Sequence, residues 1–160
     1  MIRTGIGFDI HPYAVGRKLV LGGVDVPSQR GLAGHSDADV ICHAIADALL
    51  GAVADGDIGV HFPNTDQRWA NANSLGLLKM VAERLRAKNT AIVNVDATVI
   101  AEVPRVSPYV AAMRRNLAHA IGIGNEQVSI KATTAEGLGA LGRAEGIAVM
   151  AVATVDQGAA

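Results

Sequence analysis

The stretch Ile2-Arg3-Thr4-Gly5-Ile6-Gly7-Phe8-Asp9-Ile10-His11 opens the chain, and its reading decides the rest. Ile2 to Ile10 reads as a β-strand, with glycines at 5 and 7 that permit another backbone to approach closely. In an extended strand residues i and i+2 share a face, so the Asp9 carboxylate and the His11 imidazole converge on one point. His43, on the helix that follows, is the third donor of such a set. Two nitrogens and one carboxylate oxygen suit Zn²⁺, and three protein ligands leave an open position, the mark of a site that handles substrate. The bland alternative is a turn capped by Asp9 and helped by Pro12, beside two ordinary polar histidines.

Outward from that strand, Leu19 to Leu21 and Val24 to Val26 flank Gly22-Gly23 as a short two-strand turn. Ser36 or Asp37 is placed to cap a helix from about Ala38 to Ala54, whose apolar positions 41, 45, 48, 49 and 52 keep helical spacing. Asp55 to Arg68 reads as a loop, and Asn73 or Ser74 opens a second helix to about Lys88. Ile92 to Ile100 alternates, with Val93, Val95, Ala97 and Val99 on one face and Asn94, Asp96 and Thr98 on the other. Ser107-Pro108 starts a third helix, ended by Gly122, and Val128 to Ala132 is a strand. Ile147 to Val155 is a near-continuous apolar run, as for a strand buried on both faces. This order gives an α+β fold, an α/β sandwich of one mixed sheet backed by about three helices.

At 160 residues the chain is most simply one domain, 1–160. Half of the residues are hydrophobic but only 3% are aromatic, so the core is built from Ala, Val, Ile and Leu. Small side chains bury little area each, which makes further burial by oligomerisation attractive. A net charge of −1 gives no reason to expect nucleic acid or an anionic membrane as partner. The single cysteine, Cys42, excludes an intrachain disulfide and fits a reducing, cytoplasmic setting. No apolar run reaches membrane-spanning length.

Further polar groups recur near the metal triad. Asp39, His43 and Asp47 stand at i, i+4 and i+8, one helical stripe, so either acid is placed to take the second ring N–H of His43. His35 and Ser36 precede that helix, where a ring and a hydroxyl can bind phosphate. Asp57-Ile58-Gly59 and Phe62-Pro63-Asn64-Thr65-Asp66 form a polar, rigidified loop suited to the hydroxyls of a polyol. Thr133, Thr134 and Glu136 at a strand end offer hydroxyls and a carboxylate to phosphate oxygens and a hard cation such as Mg²⁺. Gly137 to Gly142 matches G-x-G-x-x-G, but Arg143 to Gly146 leads straight into the β-run from Ile147 where that fingerprint needs a helix, so a dinucleotide site is rejected. The same glycine-rich loop, ahead of Arg143, can still approach a phosphate.

These blocks, in this order and covering nearly the whole chain, resemble the 2-C-methyl-D-erythritol 2,4-cyclodiphosphate synthase family. The resemblance rests on Gly5 to His11, Gly34 to Asp39, Asp57 to Gly59, His61 to Pro63, Lys131 to Thr134 with Glu136, and Gly142-Arg143 with Glu145 to Ala148. It implies a substrate, 4-diphosphocytidyl-2-C-methyl-D-erythritol 2-phosphate, whose 2-phosphate attacks its own β-phosphorus, releasing CMP and closing a cyclic diphosphate. It implies a homotrimer with sites at subunit interfaces, one subunit supplying the metal site and its neighbour the cytidine pocket.

On this chain, Asp9, His11 and His43 would then hold Zn²⁺, Glu136 would hold Mg²⁺ or Mn²⁺, and His35 and Thr134 would stabilise the transition state. Asp57, Ile58, Gly59 and Phe62 to Asp66 would meet the erythritol. Ala101, Pro104, Arg105, Val106, Ser107 and Thr133 would line the cytidine side. Phe8, Arg143 and Glu145 would line an axial cavity able to take an isoprenoid diphosphate. Departures from the family pattern fall at Asn64, where an acid is usual, at Ala140, often a Phe, and at Glu102-Val103. Two other functions remain open at this point: a zinc-dependent phosphoesterase, and a non-catalytic trimer binding isoprenoid diphosphates.

Overall fold

The computed structural model describes residues 1–158. Its strands are β1 (Ile2–Val15), β2 (Leu19–Leu21), β3 (Val24–Val26), β4 (Arg30–Leu32), β5 (Thr90–Ile100), β6 (Val128–Thr133) and β7 (Gly146–Gln157). Its α-helices are α1 (Val40–Ala52), α2 (Ile58–His61), α3 (Ser74–Ala87), α4 (Val110–Ile121) and α5 (Gly139–Gly142). Five strands form one sheet in the order β4-β1-β7-β5-β6, and β2-β3 is a separate hairpin. The sheet is mixed: β5 and β6 run parallel, while β1 with β4, β1 with β7 and β5 with β7 run antiparallel. α1 packs on β1 and β7, α3 on α1 and β5, and α4 on α3 and β6.

The glycines of β1 set how closely the layers meet. A Cβ on Gly5 would stand 2.0 Å from the Ala48 carbonyl oxygen, and one on Gly7 would stand 1.9 Å from that of Ala44. The backbone of α1 therefore lies directly on the strand, and nearly the whole helix is buried; His43 and Asp47 are half-buried and Gly51 is exposed. Alternation along β1 turns Gly5, Gly7, Asp9 and His11 toward the helix layer. The intervening positions face the other way and stay bare, with Ile6 66%, Phe8 55% and Ile10 48% exposed.

Four sequence expectations are corrected. β1 continues past Ile10 to Val15, because β4 pairs with Tyr13 to Val15; a three-residue edge strand carries no alternation to read. α1 is capped by neither Ser36 nor Asp37 but by Asp39, whose carboxylate accepts from the amides of Ile41 and Cys42. In β5 a bulge between Ile92 and Asn94 shifts the phase, so Ile92 is buried and Val93 exposed while Val95, Ala97 and Val99 remain in the core. β7 is buried on both faces only over Gly146–Val149; beyond it Met150 and Val152 join the bare row of β1.

Asp39 is a fully buried carboxylate that accepts four backbone N–H groups. Besides Ile41 and Cys42, both at 3.2 Å, it takes Gly22 at 2.9 Å and Gly23 at 2.7 Å, tying the β2-β3 turn to the start of α1. Burial raises its pKa against the pull of those amides. Asp39→Ala leaves four donors without an acceptor and should cost about 3 kcal/mol, measured as a lower urea midpoint with an unchanged m-value.

Asp55, just beyond α1, anchors the end of α3. Its carboxylate accepts from Arg84 at 2.5 Å and lies 2.9 Å from the Lys88 ammonium. The Arg84 hydrogen bond, with the Lys88 contact, holds its pKa well below the usual carboxylate range. A lowered folded-state pKa means the unfolded chain takes up this proton first as pH falls. The contribution is complete above about pH 5 and is lost on acidification through the ordinary carboxyl range near 4 and below. Asp55→Asn should therefore flatten the fall in unfolding free energy between neutral and acid pH; an unaltered slope would show that this pair does not contribute to it.

Candidate active site

β1 and α1 bring Asp9, His11 and His43 together. His11 Nε2 lies 2.9 Å from Asp9 Oδ2, His43 Nδ1 lies 3.0 Å from the same oxygen, and the two ring nitrogens are 3.3 Å apart. Donors bound at about 2.0–2.1 Å around a tetrahedral ion stand roughly 3.3 Å from one another, so the trio has the spacing of three tetrahedral corners. Among the described residues these three form the group able to hold a metal ion.

The chemistry of the donors agrees. His11 Nδ1 is 2.5 Å from the Ala33 carbonyl oxygen, which can only accept, so a neutral His11 carries its proton there and turns a lone pair toward Asp9. Burial alone would raise the Asp9 pKa, but its hydrogen bonds with His11 and His43 outweigh that and hold the carboxyl well below its usual range. For His11, burial lowers the pKa and Asp9 outweighs it, giving a net rise. The site thus favours positive charge at its centre, and a bound cation supplies that charge without a proton.

A cleft of about 410 Å³ opens beside the trio. It is lined by His11, Gly34, His35, Ser36, His43, Ile58, Gly59, Phe62, Pro63, Asn64, Trp69 and Leu77. His35 reaches it from the segment before α1, its Nε2 3.3 Å from the Asp66 carbonyl oxygen. Ser36 is turned inward: its Oγ accepts from the Ala38 amide at 3.1 Å and touches His43 Nε2 at 3.1 Å. Asp57 caps α2 through the Val60 amide, and Asp66 pairs with Arg68 at 2.6 Å, so both acids shape the loop. Thr65 is exposed next to them.

A second cleft, of about 210 Å³, lies between the loop after β5 and the end of β6. Ala101, Pro104, Arg105, Val106, Ser107, Thr133 and Thr134 line it, together with Glu102 and Ala132. Glu102 accepts from the Ala135 amide at 2.8 Å and holds the turn that carries Glu136. Glu136 is exposed and adjoins Thr134, whose Oγ1 accepts its amide at 3.1 Å. Ala140 and Arg143 are exposed around the single turn α5, where Arg143 donates to Glu145 at 2.6 Å. These two clefts are separate, and no residue lines both.

The expectation that Asp39 or Asp47 accepts the second N–H of His43 is corrected. The Asp39 carboxylate is spent on its four amides, and Asp47 accepts from the Ile58 amide at 2.7 Å. His43 Nε2 instead meets two hydroxyls, Ser74 at 3.0 Å and Ser36 at 3.1 Å. Sequence reasoning also missed Trp69 and Leu77 in the cleft. Trp69 packs edge-on to Phe62 with centroids 5.0 Å apart, and its Nε1 is buried without a partner among the described residues. The signal was present, since Trp69 is the only tryptophan of an aromatic-poor chain and sits in a polar loop.

A family model described as the YgbB family matches residues 2–156. The 2-C-methyl-D-erythritol 2,4-cyclodiphosphate synthase of Alkaliphilus metalliredigens is 55% identical over 156 residues, spanning 98% of each chain. That of Symbiobacterium thermophilum is 56% identical over 151 residues, 94% of this chain and 96% of its own. Among solved structures, the bifunctional IspDF of Campylobacter jejuni superposes with a TM-score of 0.94 at 40% identity over 98% of this chain. This chain spans 42% of that longer one. A Plasmodium falciparum IspF solved as a CDP complex gives a TM-score of 0.86 at 35% identity, covering 98% of this chain and 96% of that one. With the clustered ligand trio, the mixed α+β fold and these relatives in agreement, the chain belongs to the YgbB family, that of the 2-C-methyl-D-erythritol 2,4-cyclodiphosphate synthases.

Proposed function

We infer that this chain is a phosphorus–oxygen lyase of the non-mevalonate isoprenoid route, converting 4-diphosphocytidyl-2-C-methyl-D-erythritol 2-phosphate to 2-C-methyl-D-erythritol 2,4-cyclodiphosphate and CMP. The observation that carries this is the convergence of Asp9, His11 and His43 at the rim of a polar cleft. The carboxylate and two imidazoles suit Zn²⁺, and a bound Zn²⁺ would withdraw charge from a phosphate oxygen at its open position. Glu136, beside the threonines, suits Mg²⁺ or Mn²⁺ held jointly with diphosphate oxygens.

The remaining work falls to the chain itself. Nucleophile and electrophile are phosphates of one molecule, so the barrier is charge repulsion and conformational freedom. A phosphate nucleophile is already ionised at neutral pH, so no protein nucleophile or strong base is required. Ile58, Gly59 and the Phe62–Asp66 loop hold the erythritol, while the His35 ring and the Thr134 hydroxyl bear on the reacting phosphates. Pre-positioning makes the attack intramolecular, an advantage of several kcal/mol on the scale of about 7–11 kcal/mol for well-oriented groups.

Cytidine is assigned to the second cleft, with Arg105 placed for the diphosphate. We assign its partner cleft to a neighbouring subunit, completing each site in a homotrimer. The bare row of Ile6, Phe8, Ile10, Met150 and Val152 supports this, because an exposed apolar strip of that extent calls for a covering surface. Facing copies of that strip would enclose an axial space suited to an isoprenoid diphosphate. Among the described residues no helix is long and apolar enough to cross a membrane.

Incubating the zinc-loaded protein with substrate and Mg²⁺, and following products by phosphorus NMR, tests the reading. CMP and a cyclic diphosphate are expected; a linear hydrolysed product would assign a phosphoesterase, and intact substrate would refute the activity.

A further inference from the structure

His43 is held from behind by a short chain of polar groups that no relative's name accounts for. Ser74, the first residue of α3, is 1% exposed, and its Oγ lies 3.0 Å from His43 Nε2. The same hydroxyl donates to Asp37 Oδ1, and Asp37 Oδ2 accepts the Ser74 amide at 3.1 Å. Ser36 Oγ completes the cluster, 3.1 Å from His43 Nε2 and 3.3 Å from Ser74 Oγ.

The single hydroxyl proton of Ser74 goes to Asp37 Oδ1. The Ser74 oxygen then presents only lone pairs to His43. Ser36 Oγ, already accepting from the Ala38 amide, can send its own proton to Ser74. With a cation held at Nδ1, the ring hydrogen of His43 stands on Nε2, where the Ser74 oxygen accepts it at 3.0 Å.

We propose that Asp37 and Ser74 are positioning residues, a carboxylate–hydroxyl–imidazole relay that holds the His43 ring so that Nδ1 is offered to the metal. The relay does the work usually done by a carboxylate bound directly to a ligand histidine. It also links the segment before α1 to the start of α3, so the third ligand is oriented by two elements outside its own helix. The proposal rests on the metal reading of the Asp9–His11–His43 site.

Two measurements test it. The first is the affinity for Zn²⁺ by competition with a chromogenic chelator. The second is the Nε2–H proton resonance of His43 in zinc-loaded protein. In the unaltered chain that hydrogen should be held and slow to exchange. Ser74→Ala should make it exchange fast and weaken Zn²⁺ by about 10- to 100-fold, and Ser74→Thr, which keeps the hydroxyl, should restore both. Asp37→Asn can turn its amide N–H toward Ser74, so it should also loosen that hydrogen and weaken Zn²⁺ while leaving the hydroxyl in place.

An unchanged Nε2–H resonance and unchanged Zn²⁺ affinity in Ser74→Ala and Asp37→Asn would overturn the relay alone. Failure of the metal reading looks different: the unaltered chain and His43→Ala would then bind Zn²⁺ alike, and the relay would fall with it.

Discussion

His43→Ala should abolish zinc retention and reduce turnover by about 10³-fold or more, the equivalent of about 4 kcal/mol of lost transition-state stabilisation. His43 is one of only three converging donors, and the pair left behind, Asp9 and His11, lies on a single strand with nothing opposite. Its removal leaves a small void under the first turns of α1, but Ala44, Ala48 and the glycines that seat the helix are untouched. Fold and assembly should therefore survive. The checks are metal content of the purified protein, the rate of CMP release and light scattering. A variant that keeps its zinc and its rate would remove the metal centre from the account.

Gly7→Ala should be among the most damaging single-methyl changes in the chain. The added carbon would sit 1.9 Å from the Ala44 carbonyl oxygen and 2.8 Å from the Ala48 amide nitrogen, both backbone atoms of α1. No rotamer relieves such a contact, so the helix must lift by more than an ångström or the strand must bend. A cost above about 4 kcal/mol is expected, a large part of the roughly 5–15 kcal/mol that holds an ordinary domain folded. Gly51→Ala is the matched control: its Cβ would meet only the Ile6 carbonyl oxygen, at 3.8 Å, and it should be neutral or slightly stabilising. Comparable urea midpoints for the two variants would refute the close seating of α1 on β1. A partly folded Gly7→Ala protein should also bind zinc poorly, since lifting α1 draws His43 away from Asp9.

Much of this was legible in the chain because the decisive signals are local. Glycines at 5 and 7 and acid–imidazole spacing at 9 and 11 are readable within one strand, and the helix bearing His43 announces itself by its apolar period. What escaped was set by partners far along the chain. Asp39, His43 and Asp47 do share a helical stripe, yet the two acids are claimed by Gly22, Gly23 and Ile58, which spacing on α1 cannot show. Ser74 was visible only as a helix start, because its contact with His43 depends on how α3 docks. The bulge at Ile92 and Asn94 inverted one residue of an otherwise correct alternation, since an inserted residue leaves no trace in a periodic pattern. The bare sheet face reads as buried because hydrophobicity reports what must be covered, and not by which chain.

The two faces of β1 carry different duties on alternate residues, and that makes its register unforgiving. On the proposed function Asp9 and His11 serve chemistry on one side, while Ile6, Phe8 and Ile10 stand bare on the other. A slip of a single position against β7 would hand each side the other's residues, pointing carboxylate and imidazole out to the bare face and isoleucine in toward His43. The unbroken ladder from Ile2 opposite Asp156 to Pro12 opposite Gly146 guards against that exchange. Errors in the pairing of these two strands should therefore never yield a partly competent protein: ion capture and association would vanish in one step.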